Sequence, residues 1–312
     1  MTRTFAAADI GSNTAHLLVA RTDSEIVMRV DNLNEWIPLG EVVARRGEIP
    51  KETAETLVLA MSEFRRIAES KGAESLYVFA TEAVRVARNS EAVLKTIRRE
   101  TGVIVDVITP NREAELSLRG VGLDTRHSGA KLLIEVGGGS AQIGTLDGDR
   151  FVERCSLPIG TGRVIAESSL VHPAPDFAQN AARRFVRGQL ERCPLAPTGG
   201  LAVVCGGVAR GLWRALHADG EKHMLPFELD YLGRATARLP VDRIVRRFSV
   251  KGRRAATLLP GSIIYAEILR RFEIEEILVS EFGVREGAIL DLAAGRIAPP
   301  KLEGKLAPKV TS

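Results

Sequence analysis

The stretch Leu132–Gly144 reads LLIEVGGGSAQIG and carries the main signal for the fold. An apolar run ends in an acid, three glycines and a serine follow, and a second apolar run begins at once. A phosphate loop that opens a helix uses the helix N-terminus as its anion site. Here the residues after Ser140 are too few and too rich in glycine to form a helix before the turn signal Asp147-Gly148. The stretch therefore predicts a β-hairpin whose tip carries the glycines.

A second copy of this pattern lies near the N-terminus. Asp9–Leu17, DIGSNTAHL, aligns with Glu135–Ile143, EVGGGSAQI, at a constant offset of 126 residues (135 minus 9). Acid aligns with acid, the first glycine with a glycine, and Thr14 with Ser140. The repeat predicts two domains of like construction whose hairpin tips face each other across a cleft. Chance similarity between two glycine turns is the alternative.

Apolar periodicity predicts the same order of elements in both halves, with a three-strand meander followed by helices and short buried strands. The predicted strands are 4–10, 15–21, 26–32, 76–81, 103–108, 131–136, 141–146, 151–156, 201–205 and 277–280. The predicted helices are 51–71, 89–101, 112–120, 175–192, 206–217, 243–247, 260–271 and 285–292. This order gives an α/β fold with domains at 1–124 and 125–298 and a loose tail at 299–312. The last helix is expected to pack back on the first domain.

Composition excludes several classes of protein. The chain has 312 residues, of which 45% are apolar and 26% charged, which suits two globular domains. No apolar run reaches the roughly 20 residues of a membrane span, and Asp9 comes too early for a signal peptide. Cys155, Cys193 and Cys205 form no Cys-x-x-Cys pair, which argues against disulfides and structural zinc. We therefore expect a cytoplasmic protein.

Arginine dominates the basic residues, with 34 arginines against 9 lysines. The planar guanidinium makes bidentate contacts with phosphate and carboxylate groups. The excess is consistent with a polyanionic ligand, although a GC-rich coding sequence produces the same excess, so the composition leaves both explanations open.

The two predicted tips have the chemistry of an anion site. Glycines leave backbone N–H groups unscreened, so they can surround an anion, and serine, threonine and asparagine add side-chain donors. The carboxylate before each tip cannot bind phosphate directly. It can hold a divalent cation that bridges to phosphate oxygens. Two such tips predict a clamp for a phosphorylated ligand.

Five further motifs identify a family: FATEAVRVARN at 79–89, ITPNREAEL at 108–116, SLPIGTGR at 156–163, VCGGVAR at 204–210 and FGVREGA at 282–288. Together with DIGSNT and EVGGGS, in this order, they make the chain resemble the exopolyphosphatase / guanosine pentaphosphatase family. The resemblance runs from Asp9 to about Leu292 and matches the short two-domain form. It implies the two-domain actin-like ATPase fold, of the sugar kinase, Hsp70 and actin type with ribonuclease H-like domains.

The resemblance also implies an activity, namely Mg²⁺-assisted hydrolysis of the terminal phosphate of polyphosphate or of the 5′ γ-phosphate of guanosine pentaphosphate. Glu113 matches the catalytic glutamate, which activates water as a general base, and Arg85 an arginine that stabilises the transferring phosphoryl group. Asp9 and Glu135 match the metal-site acids. The residues implied in phosphate binding are Gly11, Ser12, Asn13, Gly137, Gly138, Gly139, Ser140, Gln142, Gly206 and Gly207. Taken alone, Glu113 is also compatible with a solvated first-turn glutamate, and Arg85 with an ordinary arginine at a helix start.

Two positions depart from the family pattern. Glu135 stands where the family usually has aspartate, and Gln142 stands where it has glutamate. Strand alternation puts Gln142 on the same face as Ser140, where we expect a solvated cleft. The site thus loses one negative charge, which predicts weakened activity.

Three functions remain open from the sequence. They are an exopolyphosphatase, a guanosine pentaphosphate phosphohydrolase, and a weakly active protein that binds polyphosphate or an alarmone and regulates another process. A sugar-kinase-like phosphotransferase ranks behind these three, because Glu113 is placed for water activation and no sugar-binding motif appears. The expected partners are one of these two phosphorylated ligands, with a homodimer as the candidate assembly. We expect no DNA and no membrane partner.

Overall fold

The structure is a computed structural model that describes residues 2–23 and 25–299. The chain divides into two compact units. The first holds the residues up to Thr109 and those from Arg285 on, and the second is Pro110–Val284. The sequence places its domain boundary at 124, so the units and the predicted domains divide the chain at different residues. The predicted tail lies, apart from Pro299, outside the described residues.

The first unit contains a five-stranded sheet built on a meander. Its strands are β1 (Arg3–Ile10), β2 (Thr14–Thr22), β3 (Val27–Trp36), β4 (Leu76–Ala80) and β5 (Val105–Val107). The order is β3-β2-β1-β4-β5, where β1, β2 and β3 are antiparallel and β4 and β5 run parallel to β1. The central strand β1 is buried on both faces at Ala6, Ala7 and Ala8, as its continuous apolar sequence predicts.

Four helices accompany this sheet: α1 (Leu39–Arg46), α2 (Lys51–Ser70), α3 (Glu82–Val86) and α4 (Ser90–Thr101). Leu57, Met61 and Phe64 of α2 recur on one helical face and are fully buried, which confirms that helix. The helix α4 ends at Gly102, whose left-handed φ of 69° is accessible to glycine. The helices α1 and α3 were not predicted because eight and five residues carry too little periodicity.

The second unit repeats the strand order. Its elements are α5 (Pro110–Thr125), β6 (Leu132–Val136), β7 (Ala141–Asp147), β8 (Arg150–Leu157), α6 (Thr161–Ser168), α7 (Asp176–Leu190), β9 (Gly200–Cys205), α8 (Gly206–Leu216), β10 (His223–Met224), α9 (Pro226–Ala237), α10 (Val241–Phe248), α11 (Gly252–Phe272) and β11 (Ile274–Val279). The sheet order is β10-β11-β9-β6-β7-β8, which is the order of the first unit with β10 added at one edge. The meander is antiparallel, and β9 and β11 run parallel to β6. Two units of the same topology confirm the predicted α/β fold of the actin-like ATPase class.

The helix α11 forms the centre of the second unit. It begins at Gly252 rather than at the predicted Pro260, which lies inside the helix. Proline is tolerated at the first turn of a helix and removes an internal hydrogen bond elsewhere, so a proline in the sequence predicts a helix start. From Thr257 to Leu269 every residue of α11 is buried, and this burial stabilises the helix through its proline.

One buried acid ties α11 to α7. Glu267 is 2% exposed and accepts hydrogen bonds from Arg183 at 3.0 Å, Arg187 at 2.7 Å and Arg270 at 2.6 Å. Burial alone raises the pKa of Glu267, but these bonds outweigh it and hold the pKa below its ordinary value. Three of the many arginines thus have a structural role.

The last helix, α12 (Val284–Ala293), is grouped with the first unit from Arg285 onward. Cys155, Cys193 and Cys205 are free thiols. Among the helices of residues 2–23 and 25–299, none is long and apolar enough to cross a membrane. The cytoplasmic location, the homodimer and the cleft between domains stay predictions.

Candidate functional site: two braced glycine loops and their acids

The two hairpin tips share one backbone conformation. Gly11 donates its N–H to the carbonyl of Thr14 at 2.9 Å, and Gly137 donates to the carbonyl of Ser140 at the same distance. These two bonds join positions that the repeat relates by its offset of 126 residues. We call residues 11–14 the first loop and residues 137–140 the second loop. The sequence repeat is thus a structural repeat.

The second loop is held from behind by the start of α6. Its carbonyls at Gly137 and Gly138 accept the N–H groups of Thr161 at 3.0 Å and Gly162 at 2.8 Å, and the carbonyl of Gly139 accepts that of Gly160 at 3.1 Å. Within the described chain, the N–H groups of Gly138, Gly139 and Ser140 donate no backbone hydrogen bond. These three donors are the backbone groups that an anion requires.

The first loop is held by a similar segment. Gly40, in the first turn of α1, donates to the carbonyl of Ser12 at 2.7 Å, and Ile37 donates to the carbonyl of Asn13 at 3.1 Å. The side chain of Ser12 is 7% exposed and contacts Glu82 at 3.4 Å, near the limit of a hydrogen bond. The predicted residues Gly11, Ser12 and Asn13 therefore form one ordered turn.

Asp9, the acid before the first loop, is paired with an arginine. Arg285 of α12 donates a short hydrogen bond to its Oδ1, and both side chains are largely buried. Arg285 belongs to the FGVREGA motif, but no role could be predicted for it because 276 residues separate it from Asp9. A cation bound at Asp9 would share this carboxylate with a guanidinium.

Glu135, the acid before the second loop, lies beside the predicted catalytic helix. Ser117 of α5, 1% exposed, donates a short hydrogen bond to its Oε2. Glu113 lies one turn before Ser117, so the two side chains share a face of α5. The structure therefore brings Glu113, the predicted base, and Glu135, a predicted metal ligand, to the same region of the second unit. Sequence reasoning missed Ser117, whose only signal was its spacing of four from Glu113.

Gln142 is buried rather than solvated, which corrects the expectation of a position lining an open cleft. It pairs in register with Glu135 across β6 and β7 and is 6% exposed. Its Nε2 donates to Oγ of Ser140 at 3.1 Å, so the two side chains lie on the same face, as strand alternation predicts. The amide thereby orients the hydroxyl of the second loop.

The first turn of α8 approaches Glu135 closely. Gly206 has a left-handed φ of 84°, and a Cβ there would lie 3.2 Å from Cγ and Oε1 of Glu135. Both the conformation and the contact favour glycine. Gly206 is therefore required by its close packing against Glu135, and Gly207 follows it in the same turn.

Arg254 contacts this turn, and two arginines of α8, Arg210 and Arg214, are close enough to affect its charge. Arg254 of α11 donates to the carbonyl of Gly207 at 2.8 Å. Burial lowers the pKa of the Arg254 guanidinium from its ordinary value, and the positive charges of Arg210 and Arg214 lower it further. Mutually repelling guanidiniums favour a bound anion, because it offsets their repulsion.

Arg85 and Asp9 lie in the first unit, whereas Glu113 and Glu135 lie in the second. Arg85 is in the last turn of α3 and donates from Nη1 to the carbonyl of Ile108 at 2.6 Å. This bond fixes the position of its guanidinium.

A magnesium site fits the donors only in part. Among residues 2–23 and 25–299, no three His, Cys, Asp or Glu side chains form a group able to hold a metal. Mg²⁺ is commonly bound by one or two carboxylates together with substrate phosphates, and single acids beside each loop match that mode. Asp9 in the first unit and Glu135 in the second are each a single acid that could hold such an ion.

Comparison with known proteins shows one consistent family. The model of the Ppx/GppA phosphatase family matches residues 18–295. Exopolyphosphatase 1 of Mycobacterium tuberculosis is 28% identical over 312 aligned positions, covering 90% of this chain and 86% of that protein. The structure of the Aquifex aeolicus Ppx/GppA family member superposes with a TM-score of 0.79 at 24% identity, covering 95% of this chain and 99% of that one. An exopolyphosphatase from Cytophaga hutchinsonii superposes at 0.82 and 19% identity, covering 94% and 98%.

Proposed function

The chain belongs to the Ppx/GppA phosphatase family, and we propose that it is an exopolyphosphatase that releases the terminal phosphate of inorganic polyphosphate with Mg²⁺. One observation carries the proposal. The three backbone donors of the second loop, the carboxylate of Glu135 and the helical face of Glu113 occur together in the second unit. Anion donors beside an acid and a candidate base are what phosphoanhydride hydrolysis needs.

Each group has a separate task in the proposed reaction. The N–H groups of Gly138, Gly139 and Ser140 bind the oxygens of the terminal phosphate, which they meet without reorganising. Glu113 accepts a proton from the attacking water, and the oxygen of the water forms a bond to phosphorus as the anhydride bond breaks. Bound Mg²⁺ supplies positive charge that neutralises the phosphates.

The arginine cluster favours a long polyanion over a nucleotide. Arg210 and Arg214 of α8, together with Arg254, which contacts the first turn of that helix, form a cluster of three positive charges. In a linear polyphosphate every unit beyond the terminal one carries charge that these arginines can meet. The Mycobacterium relative bears the name exopolyphosphatase, which supports the same substrate class. Guanosine pentaphosphate is the second candidate, because its 5′ end contains the same phosphoanhydride.

The test is phosphate release from polyphosphate and from guanosine pentaphosphate, each with and without Mg²⁺. We expect Mg²⁺-dependent release, faster from polyphosphate. Glu113→Gln should lower turnover about 10²–10⁴-fold while leaving polyphosphate binding nearly unchanged. The matched control is Glu115→Gln on the same helix, because Glu115 contacts Arg112 and Arg154 instead.

Three outcomes contradict the proposal. Faster release from the nucleotide favours the guanosine pentaphosphate phosphohydrolase. Tight binding without turnover favours a regulator weakened by Gln142. A Glu113→Gln variant that keeps more than about a third of wild-type turnover shows that another group is the base.

A further inference from the structure

A four-residue segment recurs behind the two loops. Ile37–Gly40 reads IPLG and Leu157–Gly160 reads LPIG, so each is an apolar residue, a proline, an apolar residue and a glycine. Each lies where the third strand of a meander, β3 or β8, gives way to a helix, α1 or α6. The two segments are offset by 120 residues (157 minus 37) and the loops by 126, so the repeat continues here with a change in spacing.

Each segment touches the corresponding loop through its glycine. Gly40 donates its N–H to the carbonyl of Ser12, and Gly160 donates to that of Gly139. A Cβ on Gly40 would lie 2.7 Å from Cβ of Ser12, and one on Gly160 would lie 2.3 Å from the carbonyl carbon of Gly138 and from the nitrogen of Gly139. Ser12 and Gly138 are equivalent positions of the repeat.

Backbone conformation does not explain these glycines. Gly160 has φ of −72° and ψ of 162°, an extended conformation that any residue adopts. Gly40 lies within α1 and has no left-handed φ, and alanine in a helix is favoured over glycine by about 1 kcal/mol. The close approach of the loop is therefore what requires glycine at both positions.

We propose that Gly40 and Gly160 are positioning residues that hold the two loops in their anion-binding form. The inference rests on the proposed phosphate-binding function. A loop whose carbonyls are fixed from behind presents its N–H groups in one arrangement before the ligand arrives, so it binds without a cost of ordering. A methyl group at either glycine displaces the loop. The effect should be larger at Gly160, because a Cβ there would lie 2.3 Å from two backbone atoms, whereas one on Gly40 would lie 2.7 Å from the nearest atom, Cβ of Ser12.

The experiment compares Gly160→Ala, Gly40→Ala and wild type. Gly188→Ala in α7 is the matched control, because a Cβ there meets nothing within 4 Å. Ser12→Gly and the double variant Ser12→Gly/Gly40→Ala complete a double-mutant cycle, since removing the Ser12 side chain removes the closest atom that Gly40→Ala would meet, Cβ at 2.7 Å, and leaves only the carbonyl oxygen at 3.3 Å. Three quantities are measured without Mg²⁺: hydrogen exchange of the amides at 11–14 and 137–140, the Kd for tripolyphosphate, and Tm.

We expect Gly160→Ala to weaken tripolyphosphate binding about tenfold or more and to speed exchange in the second loop. Gly40→Ala should weaken binding about threefold to tenfold in the wild-type background and less than about twofold in the Ser12→Gly background. Gly188→Ala should change neither exchange nor binding.

The proposal is overturned if the folded Gly160→Ala variant shows the amide exchange and the tripolyphosphate affinity of wild type. It is also overturned if Gly188→Ala loses as much affinity as Gly160→Ala does. It is overturned for the first loop if Ser12→Gly does not reduce the effect of Gly40→Ala. Failure of the proposed function gives a different result. Wild type would then release no phosphate from polyphosphate, but the amide exchange of the two loops would still show whether Gly40 and Gly160 hold them.

Discussion

Gln142 shows how the surroundings of one side chain decide what a substitution does. It lies in register with Glu135 and bonds to Ser140, and it is almost fully buried. A carboxylate at this position would stand beside the half-buried carboxylate of Glu135, and like charges at such a distance disfavour ionisation of one of them. The amide therefore removes a repulsion as well as a charge, so a glutamine here does not by itself indicate an inactive enzyme.

Gln142→Glu should lower the free energy of unfolding by about 1–3 kcal/mol at neutral pH without Mg²⁺, because an added charge is buried beside Glu135. A cation bound at these acids would offset the repulsion, so Mg²⁺ should recover part of the loss. Urea unfolding of both proteins with and without Mg²⁺ measures this. An equal loss under both conditions would show that no cation binds beside residue 142.

Glu267 gives a prediction about pH. Its pKa is lowered in the folded protein, so its ion pairs stabilise the fold above the unfolded pKa near 4.3, and the contribution is lost as pH falls through the folded value. Glu267→Gln should therefore cost about 1–3 kcal/mol at pH 7 and progressively less below about pH 4.5. Unfolding at pH 7, 5 and 4 checks it, with Glu91→Gln as the control because Glu91 is exposed. A cost that is independent of pH would refute the role of the charge.

At the scale of elements, α5 carries much of the candidate site. Glu113 and Ser117 lie on one face, and Gly120 continues along the same helix. A Cβ on Gly120 would lie 1.9 Å from the carbonyl oxygen of Gly283, the shortest of the approaches at any glycine described. The position of the base on α5 thus depends on a backbone contact with the segment that precedes α12.

Gly120→Ala should destabilise the protein by about 1–3 kcal/mol and lower turnover, because α5 must move away from Gly283. Gly122→Ala is the control. It lies in the same helix with nothing within 4 Å of its Cβ, so it should be neutral or stabilising by up to about 1 kcal/mol. Chemical unfolding and phosphate release measure both effects. Similar values for the two variants would mean that the contact has no influence.

The elements that the sequence predicted well are those with long apolar signals. The strand pairs around the two loops and the helix α2 were all predicted, because burial on one or two faces leaves a repeating pattern. The helices α1, α3, α6 and α9 were missed, since short helices and helices beginning after turns show little periodicity. Tertiary burial, which no local pattern records, extends α11 through Pro260.

At the scale of the whole molecule, the internal repeat predicted more of the site than any single motif did. The repeat alone predicts the positions of both loops and of both acids. The partners of those acids were not predictable, because Arg285 and Asp9 are 276 residues apart and Ser117 and Glu135 are 18 apart. Pairings of this kind follow from the packing of elements and leave no trace in local spacing.

The many arginines of the chain should make polyphosphate binding sensitive to salt. Polyphosphate binding should weaken about tenfold or more between 50 and 200 mM salt, because a linear polyanion on several arginines releases counterions when it binds. The exposed Arg214 contributes to this, so Arg214→Gln should reduce the slope of log Kd against log salt by about 0.7. Arg246→Gln is the control, because Arg246 is exposed on α10 and pairs with Asp242. Titration of labelled polyphosphate at four salt concentrations measures the slopes. A flat response in wild type would mean that only the terminal phosphates are bound, and the arginine cluster would then have no part in selecting the long substrate.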